Sequence, residues 1–436
     1  MAATEDAVRP PALPWTVRIQ LAAFSLAHRR DGSVRRLFCS LADLHVAAKR
    51  RPDASGVRSA DVTVDASRGL WARVFSPSSS AADAPLPVVV FFHGGGFSLF
   101  SAASRPYDAL CRRLCGGLGA VVVSVNYRLA PEHRFPAAYD DGVDVLRYLD
   151  AHGLPADLAV PVDLSSCFLA GDSAGGNIVH HVAQRWTAAI PSSSPAASLR
   201  LAGMILIQPF FGGEERTEAE VALDKVCASL SMGATDAYWR EFLPEGATRD
   251  HAAARVCGEG VELAEAFPPA MVAVGGLDLL KGWQARYVEA LRGKGKDVRV
   301  VEYPGAFHGF HAFPDIPDSG KLVNDLLPTQ LDMWKMSDKF RDEVIDSSSD
   351  EESNHTTQTM ATVAASILHE HNFSQMLVHR GSMKGRSKNP LRNRVEGHLR
   401  LYKDYHQSSV LGKNIPAPVQ DVKGPVHGHS TGRQRL

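Results

Sequence analysis

Six short apolar runs recur along the chain, each broken by glycine, proline or a polar residue. They are "LPVVVFF", "AVVVSVNY", "CFLAG", "GMILIQPF", "AMVAVGG" and "VRVVEYPG". Segments with helical spacing separate them, among them "YDALCRRLCGGLG", "PAAYDDGVDVLRYLDAHG" and "GWQARYVEALRGKG". Runs apolar on every residue suit strands covered on both faces, and strand–helix alternation builds a mostly parallel sheet with helices on both sides. At 436 residues and 44% hydrophobic content the chain can bury such a core. In an open sheet of this kind ligands bind outside the carboxyl ends of the strands.

Around this core the sequence predicts further parts. Residues 14–50 have amphipathic helical spacing with a turn at Asp31-Gly32. "SADVTVDASRGLWARVFSP" alternates apolar and polar residues about a Ser-Arg-Gly turn, a hairpin pattern. Residues 214–267, with "DAYWREFLPEG", interrupt the alternation and suit helices inserted as a cap. The expected organisation is an N-terminal cap segment over 1–60, an α/β domain over 61–345 and a tail over 346–436. The tail opens on the acidic, serine-rich "DSSSDEESNHTTQT", turns basic over 379–400, and is expected to be disordered.

Composition excludes several classes. A formal net charge of −1 argues against a polyanion partner, so no nucleic acid is expected at the α/β domain. No apolar segment is long enough for a transmembrane helix and the acidic start does not suit a signal peptide, so the expected location is cytoplasmic, with the nucleus as a second compartment. Cys39, Cys111, Cys115, Cys167, Cys227 and Cys257 are scattered and read as reduced thiols. No metal set is read: His180 and His181 lack a completing carboxylate or cysteine, and His427 and His429 lie in the tail.

The chemistry-bearing stretch is "FLAGDSAGGN". Gly171-Asp172-Ser173-Ala174-Gly175 fits G-x-S-x-G between a strand and a helix, where small residues allow a sharp corner and the helix start favours negative charge. Upstream, His93-Gly94-Gly95-Gly96-Phe97 ends another strand. Its glycine amides, with the N–H of Ala174, can form an oxyanion hole. A serine hydroxyl needs a base, and the base an orienting acid. Asp278, after "MVAVGG", and His308, after "VRVVEYPG", follow Ser173 in that order at strand ends. His311 is the competing histidine; Asp278 also suits a helix cap. Phe97, Phe210, Phe211 and Trp239 are candidates for a substrate pocket or for plain core. Arg128, Glu132 and Asp172 read as a buried ionic support beneath the site.

With HGGGF, NYRLAPEHRFPAAYDD, GDSAGGN, the aspartate of GLDLL and the histidine of HGF in order, residues 10–323 resemble plant carboxylesterases of the hormone-sensitive-lipase group. The resemblance implies the α/β-hydrolase fold and cofactor-free hydrolysis of small carboxylic esters, by a monomer or homodimer. It implies Ser173 as nucleophile, His308 as base, Asp278 as orienting acid, and Gly94, Gly95, Gly96 and Ala174 at the oxyanion hole, with Gly95 and Gly96 as donors. Gibberellin receptors share the scaffold as binding proteins but carry an aliphatic residue in place of the histidine; His308 favours the enzyme. An isoflavonoid dehydratase with threonine at the serine position is a weaker parallel. The sequence departs from the group near Gly282, where an aspartate is common; in "RDHAAARVCGEG", which lacks Asn-Pro; and at Pro328, which interrupts the expected last helix. Residues 334–405 resemble the leader of Harbinger-type transposon-derived nucleases.

Overall fold

The computed structural model describes residues 13–326 apart from 27, 30, 79–84, 156–159, 190–197, 257 and 259–261. These fall in the first of two units into which the chain divides, 1–349 and 350–436. The tail, its nuclease resemblance, Pro328, Cys257, His427 and His429 lie outside the described residues.

Eight strands form one sheet in the order β1-β2-β4-β3-β5-β6-β7-β8. Strands β1 (Val57–Asp65) and β2 (Leu70–Pro77) form the expected hairpin, and β2 pairs antiparallel with β4 (Val121–Asn126). From β4 onward every pairing is parallel: with β3 (Leu86–Phe92), β5 (Val162–Asp172), β6 (Leu201–Ile207), β7 (Ala270–Gly275) and β8 (Val298–Tyr303). The central strands read as unbroken apolar runs because both faces are covered: Val88 to Phe92 are fully buried.

The helices between strands follow from local signals. Helix α3 (Arg105–Leu118) has Pro106 in its first turn and ends on Gly119, which takes the left-handed conformation (φ 59°) open to a residue without Cβ. Helix α4 (Ala137–His152) stops at Gly153. Helix α5 (Ala174–Ala189) is buried nearly all round at its start, from Ala174 to Ala183, and joins the core. Helix α8 (Lys281–Gly293) follows β7.

Helices α1 (Trp15–Ser25) and α2 (Arg36–Ala42) come from the N-terminal segment, with the turn at Gly32 (φ 82°) between them. The interrupting segment supplies α6 (Glu218–Leu223) and α7 (Met232–Phe242). Helix α6 opens with a reciprocal cap between Thr217 and Glu220. The same Glu220 carboxylate accepts a 3.0 Å bond from the Trp283 indole of α8, which ties the inserted helices to the sheet. Gly282 has a reason here: a Cβ on it would stand 2.7 Å from the Thr217 side chain. The last described element, a helix over 317–326, lies beside α3, where Arg113 donates to Ser319 Oγ at 3.1 Å.

Cys39, Cys111, Cys115, Cys167 and Cys227 are free thiols, and burial pushes Cys115 and Cys167 up to about 12. Among the described residues no helix is long and apolar enough to cross a membrane, and no group of three or more His, Cys, Asp or Glu could hold a metal.

Candidate active site

Ser173 occupies the single residue between β5 and α5 and takes a left-handed backbone, φ 51°. For a residue with a side chain this conformation costs on the order of 1 kcal/mol. The surroundings hold it there. The Ser173 N–H donates to the Ile207 carbonyl at 2.9 Å, and the Ser173 carbonyl accepts the Phe210 N–H at 2.9 Å. The flanking glycines are steric necessities. A Cβ on Gly175 would fall on the Phe92 carbonyl, and one on Gly171 would stand 2.5 Å from the Gly175 carbonyl.

The structure brings Ser173, His308 and Asp278 into one line at the carboxyl ends of β5, β8 and β7. His308 Nε2 lies 2.9 Å from Ser173 Oγ, and His308 Nδ1 lies 2.9 Å from Asp278 Oδ2. Asp278 is fully buried and its carboxylate is saturated with donors. Its Oδ2 also accepts from Gln208 Nε2 at 3.1 Å and Gln284 Nε2 at 3.0 Å, and its Oδ1 accepts the Leu280 N–H at 2.9 Å. Asp278 thus serves the start of α8 as well as His308. Burial works against a charge on His308, but Asp278 outweighs it, with a smaller contribution from Asp172, and the imidazole pKa stands above its ordinary 6.5. This arrangement can deprotonate a serine hydroxyl.

His311 does not compete for Ser173. Its Nε2 faces Asp172 Oδ2 at 3.2 Å. Asp172 is the centre of a second buried network: its Oδ1 accepts the Gly94 N–H at 2.9 Å, and its Oδ2 accepts the Tyr107 hydroxyl at 3.0 Å. The Gly94 N–H is thereby committed to holding its loop, also reaching Tyr107 Oη at 2.9 Å, and it shapes the loop rather than facing a substrate. A Cβ on Gly94 would strike the Asp172 carboxylate. Gly95 (φ 102°) and Gly96 (φ 59°) carry the chain round, with Gly96 beneath the Tyr238 ring of α7. Among the described residues no acceptor is found for the amides of Gly95, Gly96 and Ala174. The start of a 16-residue helix at Ala174 adds a favourable potential for negative charge.

The expected ionic support under the site is only partly present. Asp172 is buried there, but Arg128 pairs with the buried Asp141 (2.8 Å), and Glu132 is 61% exposed and pairs with Arg36. Both residues follow β4 in a loop that runs outward toward α2 and α4, and side-chain charge alone does not say which way such a loop turns. The four candidate pocket aromatics are all buried. Phe97, Phe210 and Trp239 form one cluster with Phe242, in which the Phe97 and Phe242 rings stack at 3.7 Å and Phe210 and Trp239 at 4.3 Å. Phe211 points elsewhere and packs on Tyr287 and His180.

Three residues had no distinguishing sequence signal. Gln208 and Gln284 are single amides in otherwise apolar or helical contexts. Ser229, in the inserted segment, donates to the His308 carbonyl at 2.5 Å.

An eight-stranded, mostly parallel sheet carrying a strained serine, a histidine and a buried aspartate at its carboxyl edge defines a hydrolase-type scaffold. Residues 89–312 match the α/β-hydrolase-fold family, and the chain belongs to it. It is 41% identical over 310 residues to the gibberellin receptor GID1C of Arabidopsis thaliana, spanning 67% of this chain and 86% of that receptor. It is 38% identical over 260 residues to the probable carboxylesterase 6 of the same plant, spanning 59% of this chain and 74% of that protein. Among solved structures, a hyperthermophilic esterase from Pyrobaculum calidifontis superposes with a TM-score of 0.57 at 25% identity, covering 75% of this chain and 99% of the esterase.

Proposed function

We propose that this protein is a serine carboxylesterase that hydrolyses small carboxylic esters through an acyl-enzyme. The observation that carries the reading is the unbroken line Ser173 Oγ–His308–Asp278, with both contacts at 2.9 Å. His308 Nε2 accepts the serine proton as Oγ attacks the ester carbonyl, and then delivers it to the departing alkoxide. Asp278 fixes the tautomer that leaves Nε2 as acceptor and stabilises the imidazolium. The carbonyl oxygen, now negative, is received by the amides of Gly95, Gly96 and Ala174. Water then repeats the sequence on the acyl-enzyme. The chain's own side chains suffice for this, so no cofactor is invoked. On this reading α1 and α2 of the N-terminal segment and α6 and α7 of the inserted segment cap the site, and Phe97, Phe210 and Trp239 wall it on the side of α7.

A binding role is the second reading, favoured by the identity to gibberellin receptors. It predicts ligand uptake without turnover. The two separate in one experiment: hydrolysis of a short-chain nitrophenyl ester by the full chain and by Ser173→Ala. Serine-dependent turnover supports the esterase. Saturable binding of a ligand with equal, background hydrolysis in both supports the receptor.

A further inference from the structure

The corner at the end of β6, Ile207 to Phe210, touches two members of the candidate triad and both chain neighbours of the third. Its backbone grips the nucleophile, since Ile207 accepts the Ser173 N–H and the Phe210 N–H donates to the Ser173 carbonyl, both at 2.9 Å. Its one polar side chain, Gln208, reaches Asp278 and the two residues that flank His308. Gln208 Nε2 donates to Asp278 Oδ2 at 3.1 Å and to the Phe307 carbonyl at 3.1 Å, and Gln208 Oε1 accepts the Gly309 N–H at 2.8 Å. The residues before and after His308 are thus held by the same amide that holds the acid.

Two features show that this grip is built. Gln208 has a left-handed backbone (φ 48°), a conformation disfavoured for a residue with a side chain, and its own N–H is tied to the Ala273 carbonyl at 2.9 Å. Gly275 makes room for it: a Cβ there would stand 2.5 Å from Gln208 Nε2. The contacts also fix the amide's orientation, because both acceptors face its nitrogen and the one donor faces its oxygen. No other side chain of this length offers two donors and an acceptor in that arrangement. Glutamate lacks the donors, methionine lacks both, and asparagine is one methylene short. Gln284 is a useful contrast, since it donates to Asp278 Oδ2 and toward the Pro209 carbonyl and, among the described residues, has no hydrogen bond to the His308 loop.

We infer that Gln208 is a positioning residue for the triad, which locks the Asp278 carboxylate and the His308 loop into register with Ser173. The inference rests on the esterase reading above. Gln208 is fully buried and is expected to act on the chemical step rather than on substrate affinity.

The test uses the full chain and its Gln208→Met and Gln208→Glu variants. Hydrolysis of p-nitrophenyl acetate is followed across pH, and working sites are counted with a fluorophosphonate that reacts with an activated serine. Per titrated site, both Gln208 variants should lose about 10- to 100-fold in kcat, the scale of a misplaced catalytic group, with KM nearly unchanged. In Gln208→Glu two buried carboxylates about 3 Å apart share one proton, so the pair keeps a single negative charge beside His308, the acid limb stays near that of the wild type, and kcat falls because the Phe307 carbonyl loses its donor. A Gln208 variant with wild-type kcat per site, or one whose loss lies in KM rather than in kcat, would overturn the inference. So would failure of both Gln208 variants to fold, because the bonds would then serve the fold alone. A wild-type chain that neither turns over nor takes up the titrant overturns the esterase reading itself, and this inference with it.

Discussion

Replacing Asp278 by asparagine separates two jobs that a carboxylate performs in such a site. The first is choice of tautomer. Asp278 Oδ2 faces His308 Nδ1, Gln208 Nε2 and Gln284 Nε2, whereas among the described residues Oδ1 accepts only the Leu280 N–H. The two glutamines therefore favour the asparagine oxygen at the Oδ2 position. His308 then keeps its Nδ1–H and leaves Nε2 free to accept from Ser173, while the amide nitrogen opposes one backbone N–H. The second job is electrostatic, and it is lost. Two unit charges about 4 Å apart at an effective dielectric of about 20 attract by about 4 kcal/mol, equivalent to roughly 10³ in rate. Asp278→Asn should thus lose about 10³-fold in kcat/KM, less than the roughly 10⁴-fold that accompanies a wrong tautomer in a serine protease. The pH profile should also move. On the esterase reading the wild type should lose activity as pH falls through the raised pKa of His308. Without the aspartate, burial prevails, the histidine pKa drops, and the acid limb shifts to lower pH. Steady-state kinetics on a nitrophenyl ester from pH 4 to 9 reads both effects. An acid limb that stays in place or moves upward would refute the account of His308, and undiminished kcat/KM would remove Asp278 from the site.

Other perturbations follow from the same geometry. Gly175→Ala drives a methyl into the Phe92 carbonyl beneath the elbow and should destabilise the fold by about 1–3 kcal/mol or more in urea unfolding. Burial lowers His93 to about 4 and His180 to about 3. Both stay neutral in the folded state while the unfolded chain takes up protons below pH 6.5, so stability is complete above that value. Each histidine should then withdraw about 1.4 kcal/mol per pH unit as pH falls toward its folded pKa. His93→Gln should flatten that part of a stability–pH curve, and an unchanged slope would contradict the burial argument. Asp172→Ala removes the acceptor of Gly94 and Tyr107 and the carboxylate that faces His311, and should lower both kcat and thermal stability, whereas loss of stability with kcat intact would detach this network from the oxyanion loop.

The features legible in the sequence are those with a local physical cause. Apolar runs such as Val88 to Phe92 need cover on both faces, so the mostly parallel sheet could be read directly. The elbow was legible because Gly171 and Gly175 admit no side chain. Chain order and strand ends pointed to Asp278 and His308. Spacing did not separate His308 from His311; only the facing of β8's loop toward Ser173 and Asp172 does so. Long-range packing stayed hidden. Nothing local says that β2 lies beside β4, that Glu132 turns outward to Arg36, or that a glutamine after β6 reaches residues 70 and about 100 positions further on. Such contacts leave no periodicity, because one polar residue at a strand end looks the same whether it faces solvent or a buried carboxylate.

The central claim is that Ser173 is an activated nucleophile. Hydrolysis of p-nitrophenyl acetate by the full chain, beside Ser173→Ala prepared identically, tests it most directly. The account predicts saturable turnover in the wild type and loss to background in the variant, which remains folded. Equal turnover by the two proteins would place the chemistry elsewhere. A folded wild type that binds a ligand saturably but never turns the ester over would contradict the esterase and leave the scaffold a binding protein.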